Sequence, residues 1–493
     1  MFCLSLEKKI KKIKKSLLKS AKRDPLFTLF VILLAFLAVF FRYYNYFDRI
    51  YVHSDNALFV QAAKFAQHNL IIPQIGPFAQ APFFTGPWWL WILSIFFFVP
   101  LGLLTPWYIM SFLSLVFILL IYWLGKEIGG KWMGAAAALF AAISPAQIDN
   151  SFSVWNAAAD PFLALLAMIF LIRFYKEKKA FDIFLLGFIV SLAITIHFQN
   201  ALIGPLVLIA ILTSKPKIKN FAYMVIGLLI PILPFLYFDL RFNWFETRRI
   251  FDYITIGQYR IWVPNRWLTY AGVYWPKTWA YIVGGNIWVG GLIITLLSLL
   301  FIFRLKDMKK YILFYLIAIG FVLEVILFRY WRGERFAYFS HFAHPAVILL
   351  TAWVAVELYR IRKIIGLIFV SLLIIFTFNE SLKNLKDREL TLPRVNLLKN
   401  EIYANYPQDK FETYGCIYNG ALISHPLSFV MYSEGRNEIG GVKIGVCQLA
   451  DKSFDWKVLS GEDVKDENSA WFNETTSTVY KSMTEWWKEN PPR

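Results

Sequence analysis

Two aspartates in this sequence stand where a carboxylate could do chemistry at a membrane surface. Asp55 lies in His53-Ser54-Asp55-Asn56-Ala57 and opens a segment whose Ala57, Val60, Ala63 and Phe65 outline a surface-lying amphipathic helix. Asp160 follows Asn156-Ala157-Ala158-Ala159 and precedes Pro161 at a helix start. Either acid could simply cap its helix, where a negative group is favoured. Either could also take a proton from an acceptor hydroxyl or amine, which is general-base work. As a facing pair they could orient a substrate or share a divalent cation. Glu324 is the one carboxylate well inside an apolar run, and intramembrane acids mark functional sites by default. Arg329, further along the same run, could pair with it. Arginines gather at Arg241, Arg248, Arg249, Arg260 and Arg266, and again at Arg329, Arg332 and Arg335. Their guanidinium groups suit a phosphate or a lipid-headgroup face. Trp244, Trp262, Trp267, Trp275 and Trp279 interleave with them and could line a sugar or lipid groove, or form an interfacial belt.

The elements that must position these residues are apolar. Of 493 residues, 58% are hydrophobic and 17% charged, and the mean hydropathy is +0.51. These values exclude a soluble globular domain, a disordered chain and a disulfide-stapled scaffold. Three cysteines are too few for a disulfide framework or a zinc cluster. The net charge of +18 reads as cytoplasmic anchoring charge, with no nucleic-acid partner. Residues 8–23 concentrate it: nine lysines and arginines alternate with Ile10, Ile13, Leu17 and Leu18 at helical spacing. That segment should lie on the anionic inner leaflet among membrane lipids. The run 26–41 follows without a small-residue cleavage site, so it reads as an uncleaved first span.

Further apolar runs occupy roughly 87–99, 106–124, 131–148, 160–175, 181–197, 199–213, 221–239, 284–303, 310–330, 338–358 and 363–378. Basic clusters sit at Gly125–Lys131, Arg173–Lys179, Lys215–Lys219, Arg304–Lys310 and Arg360–Lys363. All five can be cytoplasmic only if one run between Arg42 and Lys126 fails to cross. The run 87–99, closed in by Pro87 and Pro100, is too short to span. The reading is therefore an all-α polytopic membrane protein with about eleven transmembrane helices and one interfacial segment. It divides into a basic cytoplasmic segment 1–25, a membrane domain 26–378 and an extracytoplasmic domain 379–493. The third part is expected to be a small α/β unit, with strands near Thr413–Tyr418 and Val442–Val446 and a helix near Leu427–Ser433. Cys416 and Cys447 fall in it and could form an exported disulfide.

No P-loop, dinucleotide fingerprint, HExxH or nucleophile elbow is present in the sequence. An ATP-driven pump or a cytoplasmic nucleotide-sugar enzyme is thereby disfavoured. A lipid or sugar transporter or flippase is the other class to weigh, but it usually shows inverted halves and several buried polar groups.

The chain resembles the GT-C glycosyltransferase superfamily, in particular its protein O-mannosyltransferase and lipid A aminoarabinose transferase branch. The resemblance rests on Asp55 shortly after the first span and on Ala81-Pro82-Phe83-Phe84-Thr85-Gly86-Pro87 at the entry of the interfacial segment. It rests further on Ser144-Pro145 followed by Asp160, and on Arg335-Phe336-Ala337-Tyr338-Phe339 running into His344-Pro345. It covers about residues 26–378. It implies transfer of a sugar from a polyprenyl-phosphate donor to a protein, lipid or cell-envelope glycan acceptor on the extracytoplasmic face of the cell membrane. Carried onto this chain, Asp55 would be the general base. Asp160 and Asn156 would place acceptor or donor, and Arg332 or Arg335 would hold the phosphate. The stretch before Asp160, with Phe152, Val154 and Trp155, lacks an arginine that the superfamily often shows, and the paired-acid metal motif of oligosaccharyl transferases is not plain.

Overall fold

The computed structural model describes residues 24–52, 54–77, 84–214, 217–256, 267–330, 337–385, 391–415, 417–418, 421–422, 424–438, 440–448 and 454–459. The basic segment 8–23 and the residues Arg332, Arg335 and Cys416 lie outside them.

The first apolar run folds as α1 (Pro25–Tyr43), with Asp24 accepting a hydrogen bond from the Phe27 amide at 3.2 Å and proline in the first turn. Then come α2 (Ser54–His68), α3 (Trp88–Phe96), α4 (Thr105–Gly129), α5 (Lys131–Ile143), α6 (Asp160–Glu177), α7 (Ala180–Ile196), α8 (Pro205–Ser214) and α9 (Ile218–Arg241). They are followed by α10 (Phe245–Thr255), α11 (Trp275–Ile282), α12 (Ile287–Phe303), α13 (Ile312–Phe328), α14 (His344–Ile361) and α15 (Lys363–Lys383). Among the described residues six helices are long and apolar enough to cross a membrane, and the segment through α11 joined to α12 makes a seventh, bent by 101°. Four shorter apolar helices accompany them: α5, α7, Phe198–Thr213 and α13. They stand where the eleven spans were read. The bend needs glycine: Gly284 and Gly285 have φ of +118° and +63°, and a Cβ on Gly285 would meet the Phe376 carbonyl at 2.5 Å. Helix α3 has nine residues, about 14 Å of rise, and cannot cross.

Ion pairs sort the helix ends. Lys131 pairs with Asp24, Lys176 with Glu127, and Arg304 and Arg360 both with Glu357, while Arg360 reaches the Gly129 carbonyl at 3.4 Å. Four of the five basic clusters thus meet at one end of the bundle. At the other end Arg49 donates to the carbonyls of Phe41 (3.0 Å), Tyr44 (2.9 Å) and Asn384 (3.1 Å). There, Asn384 donates to the Pro145 carbonyl at 3.0 Å and Ser381 to that of Ile143. Buried Arg42 serves the same end of α5, donating to Ala142 (2.8 Å) and Ala141 (3.1 Å) and to Ser114 (2.8 Å). Its charge meets buried carbonyls of a helix C-terminus, which have no partner within the helix and where a cation is favoured.

The last span runs on to Lys383, a few residues past 378. Beyond it lie α16 (Leu392–Asn405), β1 (Phe411–Gly415), α17 (Ser424–Ser433), β2 (Val442–Gln448) and β3 (Phe454–Val458). Strands β1 and β2 pair in parallel around α17, with Phe411 opposite Val442, and β3 adds antiparallel. Leu398, Ile402, Phe411, Leu427, Met431, Ile444 and Val446 form its own small core. The unit is not a free appendage. Phe429 and Val430 join the core of the membrane helices, and the Phe429 ring lies tilted against Trp107 with centroids 5.7 Å apart. Helix α17 packs on α2. Helix α2 was expected to lie on the surface, yet its Ala57, Val60 and Ala63 are fully buried. The apolar stripe is covered by α3 and α17.

Candidate functional site

Asp55 sits in the first turn of α2, partly exposed, at the bundle end opposite the basic clusters. The next residue, Asn56, is buried and works as a clamp. Its amide donates to the Tyr51 carbonyl at 3.2 Å, and its Oδ1 accepts the Val154 N–H at 2.8 Å. The Val154 carbonyl in turn accepts the Trp89 indole N–H at 3.0 Å. Both peptide groups of a fully buried residue in the loop 151–155 are therefore held, one by α2 and one by α3. Indole N–H groups fix α3 elsewhere too, Trp88 to the Pro231 carbonyl at 2.7 Å and Trp91 to that of Pro73 at 2.8 Å. Two residues beyond Val154, Asn156 donates to the Ile196 carbonyl at 3.0 Å. Residues 154–156 thus join the start of α2 to the end of α7.

Asp160 was expected to cap its helix or to meet a ligand. It does not cap it: the N-cap position is Ala159, and no side-chain cap bond is made there. It is 1% exposed, its Oδ2 lies 2.6 Å from His197 Nδ1, and its Oδ1 accepts from Asn200 at 2.7 Å. Both oxygens face the chain that follows α7. Trp155, which stands between the two anchors, packs edge-on to Tyr338 (4.9 Å between centroids) and to His341 (6.1 Å). His341 Nδ1 donates to the Ala157 carbonyl at 3.0 Å, and its ring lies 4.8 Å from that of His344. Gln147 bonds His344 Nδ1 at 2.7 Å, and Tyr281 donates to Asp149 at 3.1 Å. A polar layer therefore links the start of α6 to the turn 337–343 and to the helix Pro145–Asn150. Beside it lies a cavity of ≈ 200 Å³ lined by Trp89, Met110, Phe117, Gln147 and Asn150 among others.

The sequence reading missed His197, Asn200, His341 and His344 as members of this layer. A signal existed: three of the chain's six histidines stand where apolar runs meet loops. Glu324 is brought in by no described hydrogen bond. Both of its oxygens lack a partner among the described residues, and the Arg329 guanidinium lies over Trp267 at 4.8 Å. The described donors do not assemble a cation site. Among the described residues no three His, Cys, Asp or Glu residues are grouped so that they could hold a metal ion, and Asp160 spends both oxygens on His197 and Asn200.

A second buried carboxyl lies under the chain leading into α3. Glu246 Oε2 accepts the Phe84 N–H at 2.9 Å, while Oε1 has no described hydrogen-bond partner. Burial pushes this carboxyl up to about 7, opposed by the Phe84 amide and aided by nearby Asp239. Asp239 accepts the backbone N–H groups of Glu246 (2.8 Å) and Thr247 (3.0 Å) and so caps α10.

No known protein family and no curated protein matches the sequence. Solved structures match by fold. ArnT from Cupriavidus metallidurans in the apo state gives a TM-score of 0.59 at 11% identity, covering 85% of this chain and 93% of that one. The same protein bound to undecaprenyl phosphate gives 0.57 at 10% identity, covering 86% and 93%. The oligosaccharyltransferase of Archaeoglobus fulgidus, tethered with an acceptor peptide containing the NVT sequon, gives 0.50 at 11% identity and covers 83% of this chain. This chain spans 63% of that protein's length. The likeness is one of architecture: the chain has the GT-C fold of these two proteins, as its sequence led us to expect.

Proposed function

We propose that the chain is a membrane glycosyltransferase that takes a sugar from a polyprenyl-phosphate carrier, with Asp55 as general base. The observation that carries this reading is the clamp on residues 154–156. It ties the first turn of α2, where Asp55 lies, to the polar layer around Asp160 and His197. A base needs a fixed position relative to the groups that hold its substrate, and two anchored peptide groups supply that. The shared fold supports the reading, because ArnT is seen with undecaprenyl phosphate and the oligosaccharyltransferase with an acceptor peptide.

In this reading the carrier phosphate leaves already ionised, so one base and a cationic clamp suffice. Arg332 or Arg335 would supply the clamp. Asn156 would position acceptor or donor beside the loop it anchors, and Glu324 would tune the donor's lipid side from α13. The N-terminus would be cytoplasmic, the site extracytoplasmic, and residues 379–493 would present or recognise the acceptor from above α2. Asp55→Asn tests the proposal. Sugar transfer from a polyprenyl-phosphate donor should fall by about a hundredfold or more at unchanged membrane levels. Unchanged transfer would remove Asp55 from this role.

A further inference from the structure

Asp160 is buried to 1% exposure, and its oxygens accept from Asn200 and lie against His197. A buried carboxylate persists as an anion only beside a countercharge. Among the described residues the group within ion-pair reach of Asp160 that can carry a positive charge is His197. With Nδ1 donating to Asp160, the charged ring carries a second proton on Nε2. The His197 side chain keeps 10% of its surface, and no hydrogen bond occupies Nε2 among the described residues. In its charged form the ring is a donor at Nε2, fixed from behind by a carboxylate through Nδ1. The titratable groups facing its ring are Asp160 from α6 and His341 and Tyr338 from the turn 337–343. Asp149 acts on His341 from the helix Pro145–Asn150. The backbone of Ile196, next to His197, is bound by Asn156, two residues from the clamp on Asn56. Two extended residues span at most about 7 Å, so the dyad and the first turn of α2 are held on one short stretch of chain.

We propose that His197 Nε2–H binds the phosphate of the sugar donor, with Asp160 as the residue that positions it. This rests on the glycosyltransferase reading above and deepens it. During transfer the bond between the sugar's anomeric carbon and the phosphate oxygen breaks, and its electron pair stays on the phosphate. The acceptor oxygen bonds to that carbon and its proton passes to Asp55. His197 hydrogen-bonds the departing phosphate, so its charge is met as it forms.

The test is binding to the purified full chain, followed by tryptophan fluorescence, with undecaprenyl phosphate, undecaprenol and inorganic phosphate as separate probes. Undecaprenyl phosphate should bind about tenfold more weakly to His197→Ala, and His197→Gln, which keeps a donor, should recover part of that loss. Asp160→Asn, which leaves the ring in place but loosens its anchor, should weaken undecaprenyl phosphate binding and leave undecaprenol binding unchanged, which lost packing alone would not do. Should neither variant fold, the wild-type preference for undecaprenyl phosphate over undecaprenol decides alone. Full binding of undecaprenyl phosphate by His197→Ala, or equal affinity for undecaprenol, would each overturn the phosphate contact while leaving carrier binding intact. No binding of undecaprenyl phosphate at any pH would instead overturn the glycosyltransferase reading itself. Competition by inorganic phosphate that vanishes in His197→Ala would support the contact and identify free phosphate as an alternative occupant.

Discussion

Asn56→Ala probes the clamp most directly. The side chain makes two hydrogen bonds, to the Val154 N–H at 2.8 Å and to the Tyr51 carbonyl at 3.2 Å. Val154 is fully buried and Asn56 is 3% exposed, so water cannot replace the lost partner. An orphaned buried N–H costs about 1–3 kcal/mol and the second bond adds roughly 1 kcal/mol, so a loss of about 2–4 kcal/mol is expected. The Trp89 indole holds the same residue from the other side at 3.0 Å. Trp89→Phe, which keeps most of the ring and removes the donor, should cost about 1–2 kcal/mol. Once one bond is gone the loop is freed, so the second loss should cost less. The double variant should fall short of the sum by on the order of 1 kcal/mol. Unfolding in detergent, followed by denaturant titration, measures all three values. Sugar transfer by Asn56→Ala should drop at least about tenfold, because Asp55 loses its fixed relation to the 154–156 loop. Strict additivity in the cycle, together with undiminished transfer, would show that the two bonds do not act through one loop and that the clamp does not position Asp55.

Glu246 gives a pH-dependent stability with a definite sign. Its carboxyl is raised from 4.5 to about 7, so below 4.5 it is protonated in both folded and unfolded chains. As pH climbs to about 7 the unfolded chain ionises first, and stability falls by up to on the order of 3 kcal/mol before levelling off. Glu246→Gln should flatten that decline in thermal melts between about pH 5 and 8, and a wild-type melt that rises over this range would refute the argument. Arg42→Leu leaves the carbonyls of Ala141 and Ala142 without donors inside the bundle and should cost about 3 kcal/mol or more in unfolding titrations. Gly86→Ala places a Cβ 2.8 Å from the Thr195 Cβ and 3.0 Å from its carbonyl oxygen, which should destabilise by about 1–3 kcal/mol in the same assay. A cysteine at exposed Lys126 should resist an impermeant thiol reagent applied to intact cells, and ready labelling would invert the orientation.

Hydrophobicity and charge made the fold legible. The runs from 26–41 to 363–378 are long enough to count, and the basic clusters fix which ends must meet. Glu127, Lys131, Lys176, Arg304 and Arg360 then gather as that alternation requires. The short proline-bounded run was legible by length alone, and α3 is indeed nine residues. The small α/β unit was legible because its strand-like and helix-like runs alternate. What periodicity could not show is what covers an apolar face. The stripe on α2 looks the same whether lipid or α17 lies against it. The site was legible only in outline. Asp160 was found as an acid at a helix start, but its partners His197 and Asn200 come from the end of another helix. Such pairings depend on packing between distant segments, which one sequence does not display. Glu246 was invisible for the same reason, since its partner is a backbone amide at Phe84.

Helices α4 and α5 leave the same turn at Gly130, yet they contain 25 and 13 residues. At 1.5 Å per residue they rise about 37 and 20 Å, so α5 stops well short of a hydrocarbon layer about 30 Å thick. Ser144, Gln147 and Asp149 follow that stop, and just beyond them the Ser151 carbonyl accepts from Ser111 at 2.7 Å, six residues inside α4. Hydrophilic groups therefore lie about 9 Å below the end of the longer helix, the depth at which the proposed carrier would have to present its charged head.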